Sequence, residues 1–115
     1  MALLDHENLD VYHRSIDFLT VALHLVARLP RAERELRDQL KRASMSVPLN
    51  IAEGSGKPAP ADRARFYAIA RGSAMECGAL LDVCRVADFV TVAEAEEVKA
   101  LLIRIVVMLS RMCRV

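Results

Sequence analysis

Tryptophan is absent from this chain of 115 residues, which holds only two tyrosines and three phenylalanines. A core with so few large rings has to be built from Ala, Leu, Val, Ile and Met, which favours helix-on-helix packing over a sandwich or barrel. Long apolar runs are also missing. In the last helical segment the longest uncharged stretch is Ile105 to Ser110, far short of the roughly 20 residues a spanning helix needs. The N-terminus, reading Met-Ala-Leu-Leu-Asp-His-Glu-Asn, is acidic and carries no basic stretch followed by an apolar one, so it does not read as a secretory leader. Membrane insertion is therefore not expected, and a cytosolic location is. Cysteine is scarce as well. Cys77 and Cys84 fall seven residues apart on one helix, about 10 Å along its axis and too far to bridge. Cys113 is left over, and all three read as small apolar residues in a reducing compartment.

An excess of charge of either sign is lacking too: 16 basic and 15 acidic residues leave a net charge of +1. That balance alone predicts neither nucleic-acid nor membrane binding. The three histidines, His6, His13 and His24, lie in or before the first helix, and none has a glutamate three residues earlier. A di-metal bundle needs Glu-x-x-His pairs on two helices, so no metal is expected. Gly54-Ser-Gly-Lys57 resembles the end of a phosphate-binding loop. Ile51 and Pro58 stand where that loop needs a glycine and a hydroxyl residue, and no strand precedes it. No serine or cysteine has a histidine placed beside it by the sequence, so no activated nucleophile, no cofactor site and no enzyme is expected.

What is abundant is apolar residues, 54% of the chain, arranged at helical spacing. The first helix is expected from about Asn8 to Leu29, with Leu9, Tyr12, Ile16, Leu19, Leu23 and Val26 as one stripe. Phe18, Ala22, Leu25 and Leu29 form a second, and Pro30 stops the helix. The second begins near Ala32 and carries Leu36, Leu40, Ala43, Val47 and Ile51. Pro48 inside it predicts a kink near Ser44, and Gly54 and Gly56 are expected to end it. The third spans about Pro60 to Ala87 through Phe66, Ile69, Ala70, Ser73, Cys77, Leu80 and Cys84. Gly72 and Gly78 in its thin middle suggest close approach by another helix. The fourth starts at a capping box, Thr91 and Glu94. Its stripes are Val98, Leu101, Ile105, Met108, Met112 and Leu102, Val106, Leu109, Cys113.

Short connections between these segments predict one domain over residues 1–115, an antiparallel up-down-up-down four-helix bundle. Helices one and four each carry two stripes where a bundle seam needs one. That surplus predicts self-association.

A polar series interrupts the pattern. Gln39, Arg42, Ser46, Asn50 and Glu53 on the second helix, with Arg65, Ser73 and Glu76 on the third, fall on or beside the core face. Buried polar groups must be paired, so these eight are expected to form a network that fixes the kink and the helix register. The rival expectation is a small-molecule or metal site lined by Asn50, Glu53 and Glu76.

The run Arg37-Asp-Gln-Leu-Lys-Arg-Ala-Ser-Met-Ser-Val-Pro-Leu-Asn-Ile-Ala-Glu-Gly54 is followed by Arg65-Phe-x-x-Ile-Ala-Arg-Gly-Ser-Ala-x-Glu76. Together with Leu9-Asp-Val-Tyr12 near the start, it resembles the four-helix-bundle family of 23S rRNA intervening-sequence proteins. The resemblance covers nearly the whole chain, and only the fourth helix is generic. It implies a left-handed bundle assembled into a homopentameric ring. It also links the chain to the accessory proteins of diversity-generating retroelements, basic pentamers that bind nucleic acid and a reverse transcriptase. The near-neutral charge here departs from theirs.

Local surpluses remain. Arg28 to Arg42 holds six basic residues against three acidic, and Lys99 to Arg114 four against none. Multiplied around a ring, such a face attracts phosphates, and Arg31, Arg34, Arg37 and Lys41 are the candidate contacts. Stacking platforms for single strands are missing, because the five aromatics lie mostly on core faces. The chain thus reads as an interaction module with itself, RNA or a nucleic-acid-processing protein as partners.

Overall fold

Proline and threonine set the helix boundaries. The computed structural model, which describes residues 3–114, has a short 3-10 turn at Asp5–Asn8 followed by α1 (Asp10–Arg28), α2 (Arg34–Ser55), α3 (Pro60–Val86) and α4 (Val92–Met112). Pro30 follows the end of α1 by two residues, and Pro60 opens α3 at the first helical position, where its missing N–H costs nothing. At the start of α4 the Glu94 N–H donates to Thr91 Oγ1 at 3.0 Å, and the Thr91 N–H donates to Glu94 Oε1 at 3.1 Å. This is the reciprocal cap its sequence announces. The turn between α3 and α4 passes through Asp88, whose φ of 61° is tolerated by Asp better than by most residues.

α1 packs on α2 and α4, and α3 packs on α2 and α4; among the described residues the backbones of the diagonal pairs, α1 with α3 and α2 with α4, stay more than 8 Å apart. The result is an all-α four-helix bundle around a core whose fully buried side chains include Phe18, Leu40, Ile51, Leu81, Ile105 and Leu109. No helix among the described residues is long and apolar enough to cross a membrane. Side-chain contacts fix which ends meet. Arg37 Nε donates to the Val26 carbonyl at 3.3 Å, Arg28 pairs with Glu94, and Lys99 pairs with Asp82. The end of α1 and the starts of α2 and α4 therefore gather at one end of the bundle.

Several expected faces shift. In α1 the core takes Val11, Ser15, Phe18, Ala22, Leu25 and Val26, so the Phe18 stripe is inside. Of the other stripe, Leu9, Tyr12, Ile16 and Leu19 are half-buried and Leu23 is exposed. A helix with two packed neighbours needs an apolar face more than 100° wide, and this absorbs much of the surplus in α1. In α3, Tyr67 is buried where Phe66 was expected, and Ile69 is exposed. Gly54 does not end α2; it is buried within it, while Gly56 follows as the C-cap. Gly72 and Gly78 are not sites of close approach within the chain, because a methyl group at either would meet nothing within 4 Å. The close approach is at Gly54, where such a methyl would lie 2.9 Å from Tyr67 Cε1 and 3.0 Å from Phe66 Cβ. α2 runs unbroken from Arg34 to Ser55 with Pro48 inside it. The Ser44 hydroxyl, one turn before Pro48, donates to the Leu40 carbonyl at 2.5 Å.

The Arg28–Glu94 pair, with Nη1 2.7 Å from Oε2, ties α1 to α4. The hydrogen bond from Arg28 and then that from the Thr91 N–H hold the Glu94 carboxyl at about 2, below its ordinary 4.5. A carboxyl depressed in the folded state stabilises it fully above the unfolded value and loses that contribution as pH falls through the folded one. Glu94→Gln keeps the cap but removes the charge. It is expected to melt below the parent at neutral pH, with the gap closing between about 4.5 and 2. Melting curves across that range check this, and a gap independent of pH would contradict it.

Candidate interaction surfaces

Two grooves and one basic corner are the surface features that the helix sequences build. The first groove, of about 400 Å³, runs between α3 and α4. Its walls are Met75, Gly78 and Ala79 from α3 and Ile103, Val106 and Val107 from α4, and the Asp82–Lys99 ion pair flanks it. Met75, Ile103 and Val107 are 55%, 61% and 47% exposed, although all three are apolar. Gly78 and Ala79 keep one wall low. Ile103 and Val107 belong to neither stripe expected for α4. The signal that would have found them is that this helix is apolar nearly all the way round, with few charges to mark a solvent side.

The second groove, about 580 Å³, lies between α2 and α3 and is polar. Glu35, Asp38, Gln39, Arg42, Ala43, Ser46, Ser73 and Glu76 line it. Five of the eight expected network residues thus surround one space. Hydrogen bonds join a smaller set: Ser46 Oγ and Ser73 Oγ lie 2.7 Å apart, and Asn50 Nδ2 donates to the Ser46 carbonyl at 2.8 Å and to its Oγ at 2.9 Å. These bonds clip α2 to α3 at mid-height. Glu53 and Arg65 are elsewhere. Glu53 is 3.4 Å from Lys57, and the Arg65 guanidinium lies 4.5 Å from the Phe66 ring centre. The eight residues are therefore not one network. Gln39, Arg42, Glu53, Arg65 and Glu76 are exposed, and exposed polar groups are satisfied by water without one another. Of the trio Asn50, Glu53 and Glu76, only Glu76 faces this groove. Among the described residues no three His, Cys, Asp or Glu side chains gather as a metal ion would require.

The basic corner sits where α1 gives way to α2. Arg31, Arg34 and Lys41 are exposed, and Arg34, Arg37 and Lys41 share a shallow depression with Asp38 and Val26. Arg37 differs from the other three. It is half-buried, and its bond to the Val26 carbonyl closes the last turn of α1, a structural task.

The cysteine thiols are shifted away from the reactive thiolate form. Burial pushes the Cys77 thiol up to about 11, and the burial of Cys84 and Cys113 raises theirs also. The Ser44 Oγ lies 3.8 Å from Cys77 Sγ inside the core.

The fold and its surfaces define an all-α four-helix bundle that carries an apolar groove, a polar groove and a basic corner. Comparison with known proteins is more specific. The model of the 23S rRNA-intervening sequence protein family matches residues 7–111, and the chain belongs to that family. Among solved structures, it superposes on a protein of unknown function from the S23 ribosomal protein family of Bacteroides thetaiotaomicron, with a TM-score of 0.83. The match covers 91% of this chain and 99% of that one at 21% identity, a likeness of fold alone. No curated protein matches the sequence.

Proposed function

We propose that this chain is a non-enzymatic cytosolic scaffold that assembles from several copies of itself, as a ring on the pattern the family resemblance implies. Its basic corners are offered to RNA or to a nucleic-acid-processing protein. The observation that carries the reading is the uncovered apolar groove of α3 and α4. Three large aliphatic side chains around one half-exposed space form a contiguous patch of the kind that marks a protein contact. The family's name ties it to an intervening sequence in 23S rRNA, and Arg31, Arg34 and Lys41 are free to meet phosphates once repeated around an assembly. Three unpaired cysteines suit a reducing compartment.

Light scattering and gel shifts test the reading together. The parent is expected to have a mass several times that of one chain. It is also expected to retard a structured RNA at low salt, with affinity falling as salt rises. The triple variant Arg31→Glu, Arg34→Glu, Lys41→Glu is expected to lose about tenfold or more in affinity at low salt while keeping the parent's helicity. Arg37 is left intact because of its bond to Val26. A monomeric parent overturns the scaffold. A parent that leaves RNA unshifted at low salt, or a variant that binds as the parent does, overturns the nucleic-acid role.

A further inference from the structure

Two exposed apolar features on different helices lack any cover within the chain. One is the α3/α4 groove. The other is a ridge on α2, where Met45 and Leu49 stand one turn apart, 38% and 60% exposed. Met45 and Leu49 on α2 and Met75, Ile103 and Val107 at the groove are all exposed in the single chain, so both features are free at once. Their shapes differ. The groove is low at Gly78, where a methyl group would meet nothing within 4 Å, while the ridge is two long side chains. A ridge of two long side chains has the shape that a groove with a low wall accepts.

Charge agrees with shape. Along α2 the ridge reads Lys41, Met45, Leu49, Glu53, at successive turns: basic, apolar, apolar, acidic. Along α4 the same four-residue steps read Lys99, Ile103, Val107, Arg111, with Lys99 already neutralised by Asp82 and Glu96 lying about a turn earlier on that face. Both helices start at the same end of the bundle, where Arg37 reaches Val26 and Arg28 reaches Glu94. Laying them parallel, apolar pair on apolar pair, puts Glu53 opposite Arg111 and Lys41 beside the Asp82–Lys99 pair, with Glu96 about a turn further along. Measured from the middle of each apolar pair, Lys41, Glu53 and Arg111 stand about 9 Å away and Glu96 about 14 Å, a mismatch within the reach of a lysine side chain. Lys41, Glu96 and Arg111 have no ion-pair partner among the described residues. Glu53 holds only the exposed Lys57 at 3.4 Å, and Lys99 beside the groove is already tied to Asp82.

We propose that the Met45–Leu49 ridge of one copy seats in the α3/α4 groove of the next, with α2 of the first parallel to α4 of the second. The proposal rests on the self-association reading and adds which surfaces meet and in what sense. Each copy then spends two different surfaces on two neighbours. Such a contact propagates into a ring or a filament, and it does not stop at a symmetric dimer.

Two variants test it, Leu49→Glu on the ridge and Val107→Glu in the groove. Both positions are exposed, and circular dichroism melts confirm that each variant folds. Light scattering is expected to find the parent assembled, each variant alone monomeric, and their equimolar mixture a one-to-one heterodimer. In that mixture the intact groove of the Leu49→Glu chain takes the intact ridge of the Val107→Glu chain, and no further surface is left. If Leu49→Glu assembles as the parent does, or the two variants stay monomeric when mixed, the ridge-to-groove pairing is overturned while self-association stands. A monomeric parent overturns self-association itself.

Discussion

Replacing Phe18 with alanine is expected to remove about 3–5 kcal/mol of folding stability, the largest loss from any single truncation in this chain. Phe18 is fully buried. It shares one small space with Leu40 of α2, Leu81 of α3 and Val98 of α4, so its ring is where all four helices meet. No other ring lines that space, so its aliphatic walls can relax only in part. Against a total of about 5–15 kcal/mol for a typical domain, the loss lowers the melting temperature by on the order of 10–20 °C. Urea titration of parent and variant at one protein concentration measures it, since assembly makes the midpoint depend on concentration. A loss under about 1 kcal/mol would mean that the space collapses freely and that Phe18 does not organise the core.

The helical periodicities made the fold legible in the sequence, and the Thr91–Glu94 cap and Pro60 made two of its boundaries so. The faces were harder to read. A stripe such as Leu9, Tyr12, Ile16, Leu19, Leu23 has the same spacing as the stripe that holds Phe18. Spacing does not tell which of two adjacent stripes points at the axis and which at a neighbouring helix. The same degeneracy set Phe66 ahead of Tyr67, which differ by a single step of the helix. The polar residues were misread for a related reason. Three- and four-residue steps placed Arg42, Glu53 and Glu76 beside the core, but at the edge of a bundle a long side chain reaches water, and the pairing demanded of buried groups lapses. Ser46, Asn50 and Ser73, which are short, cannot escape in that way, and they are the ones the hydrogen bonds join. The candidate surfaces were legible only as a surplus of apolar residues. Locating that surplus on Met75, Ile103 and Val107 required knowing which helices are neighbours.

The glycines show how far the assignment of neighbours alters a prediction. By composition alone, each helical glycine is a weak point, and changing it to alanine should stabilise the chain by roughly 0.5–1 kcal/mol. For Gly72 the structure supports this, because the site is exposed and open. For Gly54 the sign reverses. The added methyl would lie 2.9 Å from the Tyr67 ring and 3.0 Å from Phe66 Cβ. The second of these is anchored directly to the α3 backbone, so relief requires the two helices to part. Overpacking of that kind costs about 1–3 kcal/mol and outweighs the gain in helix propensity, leaving Gly54→Ala less stable than the parent by about 1–2 kcal/mol. Gly54→Leu should lose more, because its larger side chain must displace the Tyr67 ring from a site where burial already raises the phenol's pKa. Parallel thermal melts of Gly54→Ala and Gly72→Ala are expected to move in opposite directions from the parent. If both move upward, α2 and α3 are not held at Gly54 closely enough for a methyl group to force them apart.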